Sequence, residues 1–365
     1  MRRLGLVLAV AVAAGGLFAL APYRAALHVL LCLEGEPSAL ADFAAWGRPA
    51  LEVTDATFEG ARHRVYRPAG EAEGVIVLLH GMHRLGIDEP RLVSLARALA
   101  ETGHVVHTPE LPRLAAYRLD EAEAERIGEV IARASAAEGG ARVGVFAISF
   151  SGGLALLSAT EPETRERIAS LLVLGSYADL VRVTRFYAGE EARSPDGTPS
   201  GVRPHPYGIE ILLRDSLAHW APDGLADTLG ELLRLSLHDE FRAADALAET
   251  LPAPWAERMR ALLRGKPDAH LREAALAHVA RHEAVLRLAS PAGRLAGLDR
   301  PVYLLHGFDD PVIPATESEH LARDLDGHAH LLVSRAMRHA EHAKEAPLEE
   351  KLALLAFVTS FLRSL

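Results

Sequence analysis

The sequence predicts an α/β fold: a doubly wound, mostly parallel sheet with a helical insertion and an apolar N-terminal segment. Three observations predict it. Strand-length runs of leucine and β-branched residues recur with helix-length segments between them, the pattern of strands buried on both faces and joined by crossover helices. A junction of small residues, Ala147-Ile148-Ser149-Phe150-Ser151-Gly152-Gly153, joins one such run to a helical segment. Between Tyr177 and Arg300 the strand runs stop and only helix-like segments remain.

At the N-terminus, Met1-Arg2-Arg3 precedes an apolar run from Leu4 to Ala21. Its 18 residues are near the lower limit for a helix spanning a bilayer. Leading arginines with no acid nearby favour a cytoplasmic N-terminus. A cleavable signal peptide opens the same way; Ala19-Leu20-Ala21 offers a small-residue cleavage site, but Pro22 after the cut disfavours it. The plain alternative is a buried helix of a soluble protein, which rarely lacks polar residues all round. Either an anchor or a signal puts the rest of the chain outside the cytoplasmic membrane. Arg24 and His28 interrupt the next stretch, Ala25–Leu33, which lies in the membrane interface or packs on the protein.

From residue 50 onward the elements alternate. Val75–Leu79 is a buried strand ending at His80-Gly81, and Pro90–Thr102 is an amphipathic helix. Val105-Val106 begins a short strand stopped by Pro109 and Pro112. Asp120 is placed to cap a helix, with Glu123 in capping-box position. Arg142–Ile148 is a strand and Ser151 to Leu156 open a helix after it. Leu171–Leu174, Val302–Leu305 and Leu331–Val333 are further strands, the last followed by a helix to Leu365. A Pro/Gly-rich loop from Pro195 to Pro206 leads into four helical segments: Ile209–Ala221, Leu225–Leu237, Ala253–Leu263 and Leu271–Leu288. They form an insertion over the strand C-termini, where α/β sheets bind ligands. The organisation is therefore 1–34 as anchor or signal, 35–178 with 298–365 as the core, and 179–297 as a helical cap.

Charge and composition exclude other classes. The net charge is −10, and the first 36 residues carry three arginines against two glutamates, leaving −11 for the remainder. Nucleic-acid binding needs the opposite balance. The single cysteine, Cys32, excludes an internal disulfide framework and any multi-cysteine metal site. His278 and His282 stand four apart on a helix, but the intervening Val279-Ala280-Arg281 lacks the glutamate of a zinc protease. No metal and no organic cofactor is called for.

The chemistry gathers at three places. A serine at a sharp strand-to-helix turn needs small residues two before and two after it. The usual pattern is Gly-x-Ser-x-Gly; here Ala147 and Ser151 replace the glycines around Ser149, and both are small. The plain alternative is a serine capping the helix. The second place is His306-Gly307-Phe308-Asp309-Asp310-Pro311-Val312-Ile313-Pro314, an apolar strand ending in glycine, acid and Pro-x-x-Pro; a helix-capping turn aspartate would fit Asp309 equally well. The third is Leu79-His80-Gly81-Met82-His83.

With these motifs the chain resembles the α/β-hydrolase family over roughly residues 52 to 365. The resemblance implies Ser149 as nucleophile. It makes Asp310 rather than Asp309 the acid of a His-Gly-x-x-Asp-x-x-x-Pro segment. It places the catalytic histidine in the loop beyond the last strand, where His339 and His342 stand; His339, the earlier, is preferred. The order serine, acid, histidine is that of α/β-hydrolases. The segment after His80-Gly81 implies an oxyanion hole of the Met82 and Phe150 backbone N–H groups, with the His80 side chain itself a buried group bonded to backbone. His80-Gly81, Asp88-Glu89-Pro90 and Thr108-Pro109-Glu110-Leu111 are similar to the dienelactone-hydrolase and esterase branches. A dienelactone hydrolase uses cysteine, so the serine favours an esterase; a haloalkane dehalogenase would need aspartate at 149, whereas a cofactor-free haloperoxidase stays compatible. The implied activity is hydrolysis of small or medium carboxylic esters through an acyl-enzyme, with a small-molecule ester as partner. Peptidase, acyltransferase and a non-catalytic hydrolase-fold protein at the membrane are the alternatives.

Overall fold

The computed structural model describes residues 20–32, 38–118, 121–339, 341–342 and 346–365, giving only the backbone of residues 338, 341 and 342. An eight-stranded sheet runs in the order β1-β2-β4-β3-β5-β6-β7-β8. Its strands are β1 Leu51–Phe58, β2 Ala61–Pro68, β3 Gly74–Leu79, β4 His104–Pro109, β5 Val143–Ile148, β6 Ile168–Leu174, β7 Val302–Gly307 and β8 Ala329–Ser334. From β4 through β8 every pairing is parallel; β1 with β2, and β2 with β4, are antiparallel. This strand order, with β2 antiparallel to both its neighbours, is the fold that the resemblance to α/β-hydrolases implies.

The six parallel strands stand where the apolar runs predict them. The β1–β2 hairpin has no counterpart in the sequence reading. β1 is exposed along most of its length, and β2 carries three arginines, so neither shows the continuous apolar run of a strand buried on both faces. In the central strands, side chains alternate between two cores. Val75, Val77 and Leu79 join the face covered by the helices Ala122–Ala137 and Phe150–Thr160. Ile76 and Leu78 join the face covered by the helices Pro90–Glu101 and Leu348–Leu362.

The described part of the N-terminal region adds to that second face. Residues 20–32 are helical, and Ala26, Val29 and Leu30 are buried in the core that also holds Leu92, Leu95 and Leu99. Burying a valine or leucine side chain is worth about 1.5–3 kcal/mol. His28 Nε2 bonds the Glu101 carboxylate at 2.7 Å. Of the two placements open to Ala25–Leu33, its described residues take the one against the protein. Of the run Leu4–Ala21, all but Leu20 and Ala21 lies outside the described residues, as does the predicted cap residue Asp120. Among the described residues no helix is long and apolar enough to cross a membrane. At the predicted capping box, Glu123 accepts instead from the Arg113 backbone N–H at 2.8 Å.

Between β6 and β7 the chain is helical: Leu180–Tyr187, Pro206–Asp215, Leu217–Trp220, Ala226–Leu237, Phe241–Glu249, Trp255–Leu263 and Ala269–Leu288. Two of these, Leu180–Tyr187 and Phe241–Glu249, have no counterpart among the predicted segments. Glu317, from the helix Thr316–Asp324, ties the first cap helix to the core. Its carboxylate accepts from the Ala178 and Asp179 N–H groups, each at 2.9 Å, and from Arg182 Nε at 2.7 Å.

Candidate active site

Ser149 stands between the end of β5 and the helix Phe150–Thr160, with φ 57° and ψ −127°. A non-glycine residue at positive φ is uncommon and concentrates at functional turns. The turn is held from below: Ser149 N–H donates to the Leu174 carbonyl at 2.7 Å. Ala147 is wholly buried, in register between Leu79 of β3 and Val173 of β6. Ser151 shows why a hydroxyl is tolerated where glycine is usual. Its Oγ accepts from Ile148 N–H at 3.0 Å and donates to the Ile148 carbonyl at 2.9 Å, inside the turn it closes. Gly153 has no such latitude, since a Cβ there would lie 2.3 Å from the Tyr177 ring.

β7 ends at Gly307 and delivers Asp310, which is fully buried while Asp309 is exposed. Asp310 Oδ1 accepts from the Val312 and Ile313 N–H groups at 2.8 and 3.1 Å. Its Oδ2 accepts from His339 Nδ1–H at 2.7 Å. Burial alone would raise this carboxyl, but the charge of His339 and hydrogen bonds from His306 and His339 outweigh it and hold the group well below the usual range. His339 follows the short strand β9 (Met337–Arg338), which pairs with β10 (Glu341–His342). Its φ is 47°, a second positive value at the site. A Cβ on Gly307 would meet the Met337 carbonyl oxygen at 2.6 Å, so glycine at the strand end lets the histidine loop approach the acid. The His342 side chain lies outside what the structure describes.

Ser149, His339, Met82 and Phe150 line one cavity of about 530 Å³. With Nδ1 committed to Asp310, His339 Nε2 is the nitrogen left for the serine. Among the described residues no hydrogen bond joins it to Ser149 Oγ; such bonds are often long before substrate binds. The N–H groups of Met82 and Phe150 have no described acceptor; that of Phe150 heads its helix, where no intrahelical partner exists. The loop carrying Met82 is pinned twice. His80, buried, donates from Nδ1 to the Gly81 carbonyl at 2.7 Å and accepts at Nε2 from Leu111 N–H at 2.9 Å. Burial pushes its pKa down to about 4, keeping it neutral. Tyr207, from the cap, donates its hydroxyl to the Met82 carbonyl at 3.0 Å.

Two positioning residues escape the sequence reading. His306, fully buried, has Nε2 2.8 Å from the Ile313 carbonyl and 3.4 Å from Asp310 Oδ2, while its Nδ1 accepts from Ser318 Oγ at 2.6 Å. The histidine of the His-Gly-x-x-Asp segment is the signal that points to it. Tyr207 has none, because the cap brings it to the site from over 100 residues away in the chain. The His278 and His282 rings lie side by side, and His282 Nδ1 is bonded to the His278 carbonyl. Among the described residues, the one His/Cys/carboxylate group with ligating atoms within reach of a single ion is His28, Cys32 and Glu101.

No family profile and no curated protein matches the chain. Solved structures do resemble it. A serine hydrolase from Cycloclasticus zankles is 12% identical, with a TM-score of 0.47 over 86% of this chain and 98% of its own. A bacterial membrane phospholipase A is 19% identical, with a TM-score of 0.44 over 100% and 98%. The proline iminopeptidase of Mycobacterium smegmatis is 17% identical, with a TM-score of 0.44 over 86% and 98%.

Proposed function

We propose that this α/β-hydrolase fold carries a serine hydrolase that cleaves carboxylic esters of small or medium acids. The observation that carries the reading is the 2.7 Å bond from His339 to buried Asp310, in the cavity that Ser149 enters from a strained turn. In the proposed sequence Ser149 Oγ attacks the acyl carbonyl carbon while His339 Nε2 takes its proton. Asp310 fixes the imidazole and stabilises its protonated form. The oxyanion accepts from the Met82 and Phe150 N–H groups, and losing one such donor costs about 3 kcal/mol of barrier. The tetrahedral intermediate collapses, the alcohol leaves with the proton from His339, and water then releases the acid by the same steps in reverse. The scheme calls for no metal or organic cofactor.

The cavity volume lies in the ordinary range for small-molecule sites, and Leu92, Leu95 and Leu174 on its wall suit an acyl chain. The proposal extends to location: the run Leu4–Ala21 behind Arg2-Arg3 either anchors the catalytic domain at the outer side of a cytoplasmic membrane or exports it as a signal. The functional test is a series of nitrophenyl esters with acyl chains of increasing length. Turnover should peak at short or medium chains and vanish in Ser149→Ala. Equal turnover by the Ser149→Ala protein would refute the reading.

A further inference from the structure

Trp46 is exposed to 74%, whereas the other two tryptophans, Trp220 and Trp255, pack against each other in the cap. It ends a short helix, Ala39–Ala45, capped by Ser38. Leu40 and Phe43, one turn apart, are exposed to 51% and 54%, while Ala44, beside Leu40 one turn on, is buried. Single exposed apolar residues are normal, but a contiguous aromatic and aliphatic stripe marks an interaction surface. The neighbouring helix opens with Leu20 and Tyr23, also exposed.

One acid, Asp42, lies on the same helix, and two arginines lie beside it, of which Arg48 is turned inward. Arg48 donates from Nε to the Ala44 carbonyl at 3.1 Å, and its buried Nη2 has no partner among the described residues. Arg24 lies close enough to repel Arg48. The apolar run Leu4–Ala21 leads into the helix over residues 20–32. Indole rings at the headgroup level, aliphatic side chains just beneath them and guanidinium groups facing phosphates are the pattern of a helix lying in a bilayer interface.

We propose that Leu40, Phe43 and Trp46 form an interfacial contact, seated in the headgroup region of a phospholipid bilayer with Arg24 facing lipid phosphates. The contact rests on the anchored form of the location proposed above and deepens it: the helix fixes how the catalytic domain stands on the membrane rather than leaving it tethered.

The test uses the full chain with Trp220→Phe and Trp255→Phe, so that Trp46 is the only indole, and vesicles of phosphatidylcholine with phosphatidylglycerol. Flotation reads attachment separately from Trp46. The expected result is flotation with a blue-shifted Trp46, quenched by lipids brominated near the headgroup, and a several-fold fall in quenching by acrylamide. Flotation with Trp46 still water-exposed, or covered but not quenched by brominated lipid, would overturn the contact and leave attachment standing; the second result would mean that protein covers the stripe. Absence of flotation would overturn both. Should the tryptophan pair prove necessary for folding, Phe43→Cys with Cys32→Ser, carrying a polarity-sensitive label, reads the same insertion.

Discussion

At the scale of single residues, the catalytic assignment turns on His339 rather than His342. His339 is bonded to Asp310, and Asp310 is anchored by two backbone N–H groups and His306. The His339→Ala protein should therefore lose turnover by several orders of magnitude, whereas His342→Ala should keep nearly all of it. Steady-state ester hydrolysis by the two variants checks this, and the reverse ranking would move the base to His342. Much of this site is legible in the sequence because the motif residues sit beside recognisable strand ends. The choice of Asp310 over Asp309 is not legible from the residues alone; burial separates them. The departures from the glycine pattern around Ser149 look like a weakness in the sequence and are a local exchange in the fold, since the Ser151 hydroxyl bonds the backbone of its own turn.

Among elements, the cap is the part whose docking the sequence conceals. One carboxylate, that of Glu317, receives two backbone N–H groups and the Arg182 guanidinium at the join between cap and core. Removing it would strand those donors, and hydrogen bonds to charged groups contribute about 1.5–3 kcal/mol each. Glu317→Ala is expected to lower the unfolding free energy by about 3 kcal/mol, the partly exposed Arg182 keeping the loss at the lower end of what breaking a buried pair costs. Urea denaturation followed by circular dichroism measures this; an unchanged midpoint would show that the join is held elsewhere. The β1–β2 hairpin escapes the sequence for another reason. A two-sided apolar run announces a central strand, but an edge hairpin facing solvent carries charge along its length, and β2 reads Ala-Arg-His-Arg-Val-Tyr-Arg-Pro.

For the molecule as a whole, buried histidines set the response to pH. Burial pushes His63, His80 and His104 each down to about 4. The unfolded chain takes up these protons near pH 6.5 and the folded chain does not, so their contribution is present above pH 6.5 and is lost as pH falls toward 4. His28 runs the other way. Burial opposes its charge, but Cys32 and Glu101 outweigh burial and raise it to about 9; its contribution is present below pH 6.5 and is lost as pH rises through 9. His278, half-buried, is likewise pushed down to about 4, and four groups against one predict a thermal midpoint that falls more steeply on the acid side of neutrality than on the alkaline side. A scan of unfolding temperature from pH 5 to pH 9 would show this, and a flat acid limb would contradict it. The global architecture is the most legible level, because the central strands β3, β5, β6 and β7 bury alternate side chains in two cores, which demands long apolar runs. In the proposed mechanism this architecture presents Ser149 as an activated nucleophile. The most direct test is to react the folded protein with a fluorophosphonate and map the adduct by peptide mass spectrometry. One adduct is expected, on Ser149, that disappears in Ser149→Ala and is strongly slowed in His339→Ala; a folded protein that stays unlabelled, or an adduct on another serine, would contradict the proposed nucleophile.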